Sequence, residues 1–307
     1  MTHQAGPAGL FRKRVKALTK HATRIDEGDV EAVHRTRVTT RRLRELLPVL
    51  RLDSAAVGKL GRRLKKATKR LGDVRDLDVM LQMARELSLD SRYSATALRQ
   101  VAATVGNERV AARDRLVAKL SFEKIQRLAG RLKRAVKKRA SKEDGNHTGG
   151  QASKRAWVWA VEARAVRRAR DVRGAIETAG TVYVAERLHE VRIAVKKLRY
   201  AMEVATELRS GQRDSPDVSV LKTAQGSLGR LHDLEVLVER ARDEQVRLSP
   251  PNLSAWRELD ELIQALEDDC RAIHAHYLQG RSKLMAIADR VYDTKGHSVF
   301  GRRRAAG

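Results

Sequence analysis

The chain has 307 residues, room for one large core or two modest ones, and 64 Lys and Arg against 38 Asp and Glu leave a formal net charge of +26. That balance points to a polyanionic partner, while an aromatic content of 4% argues against a protein that stacks successive bases on its rings. A hydrophobic content of 42% excludes disorder for the bulk, and the single cysteine, Cys270, excludes an intrachain disulfide and the usual cysteine-paired zinc site.

The first thirty residues hold isolated apolar positions among Arg and Lys, so neither a secretory signal nor a membrane span is expected, and a cytoplasmic protein is. Proline occurs only at 7, 48, 216, 250 and 251, so nothing from 49 to 215 forbids long helices. Ala, Leu, Arg, Lys and Glu dominate and no alternating run bounded by turn residues reads as a strand pair, which predicts an all-α protein. In chain order the spacing predicts helices over 8–26, 29–51, 55–88 and 91–120, then a shorter one over 122–139. The helix over 91–120 carries a clean seam of Leu98, Ala102, Val105, Ala112 and Leu116, with Arg109 in one slot, so a basic group points inward. Ser141 to Ser153 has the Gly, Ser, Asn and Asp content of a linker. The expected organisation is a first bundle over 1–140, a linker over 141–153, a second bundle over 154–300 and a basic tail over 301–307.

After the linker the pattern starts again. His34-Arg-Thr-Arg-Val-Thr-Thr-Arg-Arg-Leu-Arg44 is answered 155 residues later by His189-Glu-Val-Arg-Ile-Ala-Val-Lys-Lys-Leu-Arg199. Leu71-Gly-Asp-Val-Arg-Asp-Leu-Asp-Val79 is answered 157 residues later by Leu228-Gly-Arg-Leu-His-Asp-Leu-Glu-Val236. Two copies of one helical bundle are the economical reading.

At 3.6 residues per turn, His34, Arg37, Arg41 and Arg44 fall on one narrow stripe, as do His189, Arg192, Lys196 and Arg199. Each stripe borders the apolar arc, beside Val33 and Leu47 in one copy and Leu188 and Met202 in the other. A plain solvated face has no need to repeat the same side-chain types at the same phase, so the stripes are read as ligand-binding. Arg42 and Lys197 lie off them and reach the same ligand from the rim. The next helix adds Lys65 and Lys69, with Lys222 repeating the former and Gly226 standing where Lys69 repeats. Asp78 and Glu235 continue the apolar seven-residue spacings Leu64–Leu71 and Leu221–Leu228. A buried lone carboxylate costs several kcal/mol, so these acids are expected to be paired with the motif-helix cations, orienting and partly neutralising them. Asp76 and Asp233, nearer the exposed side, are expected to do likewise. Gly72 and Gly229 read as close helix approach, since no Gly-rich phosphate loop surrounds them.

One His per copy gives no metal set, and no Ser, Cys or paired acid recurs beside both to make a nucleophile and base. A His-Asp dipeptide at His232-Asp233 has Arg75-Asp76 in its place in the first copy, which argues against a repeated metal-ligand pair. No metal, cofactor or catalytic residue is expected.

With the repeat, the His-x-x-Arg-x-x-x-Arg-Arg-x-Arg helix and the Leu-Gly-x-x-Arg-Asp-x-Asp-Val helix together, the sequence resembles the CHAD domain, the conserved-histidine α-helical domain. The resemblance implies two four-helix bundles related by a pseudo-twofold axis, with a basic cavity that binds inorganic polyphosphate. It implies binding roles for His34, Arg37, Arg41, Arg42 and Arg44 and for His189, Arg192, Lys196, Lys197 and Arg199. In the second copy Lys196 and Lys197 keep the charge and lose the planar fork that grips phosphate oxygens in pairs. Arg109 and Arg113 meet Cys270 and His274 there, which makes the lining from that helix unequal. Family members are often fused to a triphosphate-tunnel domain of the CYTH type; this chain lacks its Glu-x-Glu-x-Lys motif, so hydrolysis is not implied.

Three functions compete. A polyphosphate-binding module, associated with polyphosphate granules, is favoured. Non-specific nucleic-acid binding draws on the net charge and Gly301-Arg-Arg-Arg304, and predicts cations spread over the outer surface. An enzyme acting on phosphate chains needs a metal-binding acid cluster, for which Asp76, Asp78, Asp233 and Glu235 are the candidates.

Overall fold

A computed structural model of the chain describes residues 6–50, 52–144, 150–210, 214–248 and 252–293. The basic tail at 301–307 and the middle of the expected linker, 145–149, lie outside the described residues. Within them all regular structure is helical, as the composition predicts: α1 (Pro7–His21), α2 (Val30–Leu46) closed by a 3-10 turn (Leu47–Leu50), α3 (Ser54–Leu87), α4 (Ala95–Lys119), α5 (Phe122–Asp144), α6 (Gly150–Ala179), α7 (Ala185–Ser210), α8 (Pro216–Arg247) and α9 (Leu253–Asp293).

Local chemistry sets the helix ends. α1 stops at His21, five residues short of the spacing-based expectation. The chain then turns through Gly28, at φ 73°, into Asp29, whose carboxylate accepts from the Ala32 amide at 2.7 Å and caps α2. Pro48 tightens the other end of α2 into the 3-10 turn, since its ring blocks further α-helix. Ser94 caps α4 by accepting from the Ala97 amide at 3.1 Å, so that helix begins at Ala95 and not at 91. At the expected linker, 141–144 and 150–153 are the ends of α5 and α6.

Gly28 and Gly180 (φ 66°) are the left-handed residues of the turns that lead into the motif helices α2 and α7. A Cβ at Gly28 would also collide with the Arg113 side chain, whereas one at Gly180 meets nothing within 4 Å. Gly28→Ala is therefore expected to cost about 2–3 kcal/mol and Gly180→Ala only about 1 kcal/mol. Denaturant midpoints of the two variants check the order.

The contacts divide the chain into two compact units, Met1–Ser153 with Asp233–Cys270, and Lys154–His232 with Arg271–Gly307. In the first, α3 packs on α2 and α4 while α1 packs on α2 and α5, around Phe11, Leu18, Val33, Leu43, Leu64 and Leu71. Burying each such side chain contributes about 1.5–3 kcal/mol. Polar ties join α4 and the turn before it to the parts of α8 and α9 in the same unit. Arg240 donates bidentately to Glu108 at 2.6 and 2.8 Å, and Tyr93 Oη donates to Asp269 at 2.5 Å. Burial, with the Asp269 hydrogen bond, pushes the Tyr93 hydroxyl up to about 12. In the second unit Ile176, Val191, Val195, Leu198, Leu221 and Leu284 are buried, and Arg173–Asp289 (3.1 Å) and Arg290–Asp217 (2.6 Å) tie α9 to α6 and α8.

Candidate functional site

The inner face of α2 is built as much from threonine as from aliphatic residues: Thr36, Thr39 and Thr40 are buried beside Val33 and Leu43. Their β-branched methyl groups pack like valine. The Thr39 and Thr40 hydroxyls are satisfied within the helix, donating to the Arg35 and Arg37 carbonyls at 2.8 Å. Thr68 of α3 meets Thr40 at 3.0 Å, so a short polar contact joins α2 to α3. The motif cations are left along the edge of that contact.

All ten motif residues share one environment. His34, Arg37, Arg41, Arg42, Arg44, His189, Arg192, Lys196, Lys197 and Arg199 are each half-buried, neither in the core nor on a solvated face. Arg109 and Arg113 are half-buried too, whereas Lys65, Lys69 and Lys222 are exposed. Half-burial lowers the local dielectric and strengthens any contact these cations make with an anion.

Of the acids, Asp76 takes a motif-helix cation as expected, and Asp78 takes a different partner from the one the spacing suggested. Asp78, expected to face a motif-helix cation, turns to the α3–α4 contact, where its side chain is 3% exposed and its Oδ1 accepts from Arg109 Nε at 2.6 Å. The motif helix is served by the exposed Asp76, 3.2 Å from Arg37 Nη2. The reason is geometric. Gly72, one turn before Asp76, leaves room for the Arg37 guanidinium, and a Cβ there would stand 3.3 Å from its Nε and Nη2. Gly72 and Asp76 thus form a cradle that lays Arg37 along α3. Arg113 folds back over the α1–α2 turn, its Nη2 donating to the Glu27 carbonyl at 2.8 Å. In the second repeat Arg199 lies 4.5 Å over the Tyr200 ring and 3.4 Å from Glu203, Lys222 pairs with Asp214, and Asp233 and Glu235 are half-buried.

Sequence reasoning missed several of these neighbours. Glu203, 1% exposed, is the buried counterion of Arg199. Arg14, 4% exposed, donates to the Arg42 carbonyl at 3.3 Å and braces the motif helix from α1. Arg75 and His232, equivalent in the two repeats, both act on the motif histidines. Burial, then the Arg75 charge, then Arg37 and Arg41, hold the His34 imidazole below its ordinary value, with Glu31 opposing. His189 meets His232 directly, Nδ1 to Nδ1 at 3.3 Å with ring centroids 4.4 Å apart. Burial first, then His232 and Arg192, lower it as well.

Burial also lowers His274, and burial followed by the Arg35 charge lowers His21. A histidine whose folded pKa is depressed binds fewer protons folded than unfolded. The advantage of its neutral folded form is complete above the unfolded value near 6.5 and is lost as pH falls through that value towards the folded ones. The free protein is therefore expected to lose stability between pH 7 and 5, with the loss reduced when His21, His34 and His274 are changed together to Gln. Denaturant titrations at fixed ionic strength measure it.

Among the described residues no helix is long and apolar enough to cross a membrane, and no group of three or more His, Cys, Asp and Glu is placed to hold a metal ion.

Compared with known proteins, residues 9–242 match the family model of the CHAD domain. Among solved structures, the chain is similar to the CHAD domain from the plant Ricinus communis, at 21% identity and a TM-score of 0.55, covering 94% of this chain and 92% of that one. It is also similar to PptA from Streptomyces chartreusis, at 17% identity and a TM-score of 0.54, covering 94% of this chain and 96% of that one. No curated protein matches it.

Proposed function

The chain belongs to the CHAD domain family, and from that membership we propose that it binds inorganic polyphosphate without cleaving it, in a basic channel lined by the motif helices of both repeats. In this reading the repeats form two four-helix bundles related by a pseudo-twofold axis, and the protein works in the cytoplasm at polyphosphate granules. The observation that carries it is the uniform half-burial of the ten motif cations and imidazoles. A surface that meets DNA through its phosphates needs exposed cations, while a lined groove needs cations withdrawn from bulk water and held in place.

The ligand's chemistry suits that lining. Polyphosphate is a flexible chain with about one charge per phosphate, and the stripe on each motif helix spans about 15 Å at 1.5 Å per residue, so each engages several phosphates. Charge-assisted hydrogen bonds and released counterions supply the affinity, and nothing has to read a sequence. Retention of the chain intact is supported by the engagement of Asp76 with Arg37 and of Asp78 with Arg109, which leaves these carboxylates orienting cations.

A competition titration tests the reading: long-chain polyphosphate, duplex DNA and single-stranded DNA against the full chain at several salt concentrations. Polyphosphate is expected to displace both nucleic acids at physiological salt, with DNA competing only at low salt. Equal binding of DNA and polyphosphate at physiological salt overturns it in favour of a general polyanion-binding surface.

A further inference from the structure

The second repeat carries a cleft of about 320 Å³ between α8 and α9, within the parts of both helices that belong to the second unit. None of the ten motif residues lines it. In the register of the repeat, Ser227 and Gly280 of its lining stand where the first copy has Arg70 and Lys119. There the Arg70 guanidinium donates to the Lys119 carbonyl and laces α3 to α4. Ser227 instead donates to the Thr223 carbonyl of its own helix at 3.4 Å, and a Cβ at Gly280 would meet nothing within 4 Å among the described residues. Small side chains by themselves only make room. Tyr277 makes the space a site. It lines the cleft and is 5% exposed, and its hydroxyl is buried with no hydrogen-bond partner among the described residues. Burial, opposed by the Arg281 charge, raises that hydroxyl above its ordinary pKa, so it stays protonated and able to donate. An unpaired buried hydroxyl weakens a fold, and a bound molecule that accepts from it removes the penalty. His274, stacked on the Tyr277 ring with centroids 6.3 Å apart, holds the ring in place before any ligand arrives.

We infer that this cleft binds a small aromatic monocarboxylate, with its ring against Leu228 and Leu284, a hydrogen-bond acceptor at its inner end on the Tyr277 hydroxyl, and its carboxylate outward at Lys283. Leu228 and Leu284 are each 2% exposed, whereas Lys283 and His276 are exposed at the rim. An apolar lining with a few placed polar groups is the usual form of a small-molecule site, and this volume lies at the low end of the range of about 300–1,000 Å³, which favours a single ring. Among the described residues the lining holds no Asp or Glu, so nothing in it opposes an anion. A phosphate chain fits it poorly, because the buried part of the lining offers hydrocarbon and one hydroxyl where such a chain needs repeated cations. The inference therefore stands apart from the proposed function.

The test is a calorimetric titration of the full chain with three probes. 4-Acetylbenzoate carries both the inner acceptor and the carboxylate, 4-isopropylbenzoate keeps the shape without the acceptor, and acetophenone lacks the carboxylate. Wild type is expected to bind one 4-acetylbenzoate per chain with a Kd below about 1 mM, and the other two probes about fivefold or more weakly. Tyr277→Phe is expected to erase the preference for acetyl over isopropyl. Gly280→Leu, which fills the cleft and is the better helix former, is expected to abolish binding of all three, with unfolding curves to show that both variants fold. No binding of 4-acetylbenzoate by wild type at millimolar concentrations, binding that survives Gly280→Leu, or a preference unchanged in Tyr277→Phe overturns the inference. So does a wild-type dimer in sedimentation that Gly280→Leu dissociates, which gives the cleft to a second copy of the chain, or displacement of 4-acetylbenzoate by polyphosphate, which makes the cleft part of the polyanion site.

Discussion

Changing Arg37, Arg41, Arg192 and Lys196 together to Ala is expected to lower polyphosphate affinity at physiological salt by about 100-fold or more, and to flatten its salt dependence by up to about four counterions. Each of these side chains is half-buried on a motif stripe, and hydrogen bonds to charged groups contribute about 1.5–3 kcal/mol each, so even strongly non-additive losses exceed two orders of magnitude. The fold should survive. Arg37 leaves behind Asp76, whose side chain is 67% exposed and is solvated without it. The informative control removes the same charge elsewhere: Arg131, Lys133, Arg134 and Lys138, all exposed on α5, changed to Ala. If affinity follows total charge, the two variants weaken alike and the lining has no special role. If the motif helices hold the ligand, the α5 variant changes affinity only a few-fold while the motif variant loses it. Titration of both by fluorescence or calorimetry, alongside their unfolding curves, separates the cases.

Much of this architecture was legible in the sequence, for a physical reason. Helices without proline, filled with strong helix formers, leave little competition for the backbone, and the duplicated stripe marked the face proposed for binding by its phase alone. Helix ends were less legible, because Asp29 and Ser94 act through single side-chain bonds that spacing does not reveal. The acids show a deeper limit. Sequence placed Asp78 on the buried seam of α3 and foresaw that it needs a cation, but periodicity reports a face and not which neighbour lies across it. That neighbour is Arg109 on α4, and the motif helix draws on Asp76. Arg75 and His232 escaped notice because the pair was weighed as a dipeptide with the following Asp. Set on the helix, each acts on its motif histidine, and the difference between them separates a fixed charge from an imidazole that hydrogen-bonds its neighbour.

Arg109→Leu is expected to destabilise the protein by about 3–5 kcal/mol, among the largest losses available from one substitution outside the apolar core. Arg109 is the cation that accompanies a carboxylate 3% exposed to solvent, while its own side chain is 24% exposed. Removing it strands Asp78 in the α3–α4 contact, where the second carboxylate oxygen is already buried without a hydrogen-bond partner. Asp78→Leu alone is expected to cost less, because the remaining guanidinium reaches water. The double variant Asp78→Leu with Arg109→Leu is expected to recover most of the loss, since similar-sized apolar side chains replace a pair whose desolvation cost offsets much of its attraction. Equilibrium denaturation of the two single variants and the double variant closes the cycle. A double variant as unstable as Arg109→Leu would mean that the site cannot be repacked and that the ion pair is structurally required. With stability restored, polyphosphate affinity of the double variant measures what Arg109 contributes to binding, free of the folding defect that either single change introduces. A marked loss assigns Arg109 to the lining, and an unchanged affinity assigns the pair to fixing the register of α4 on α3.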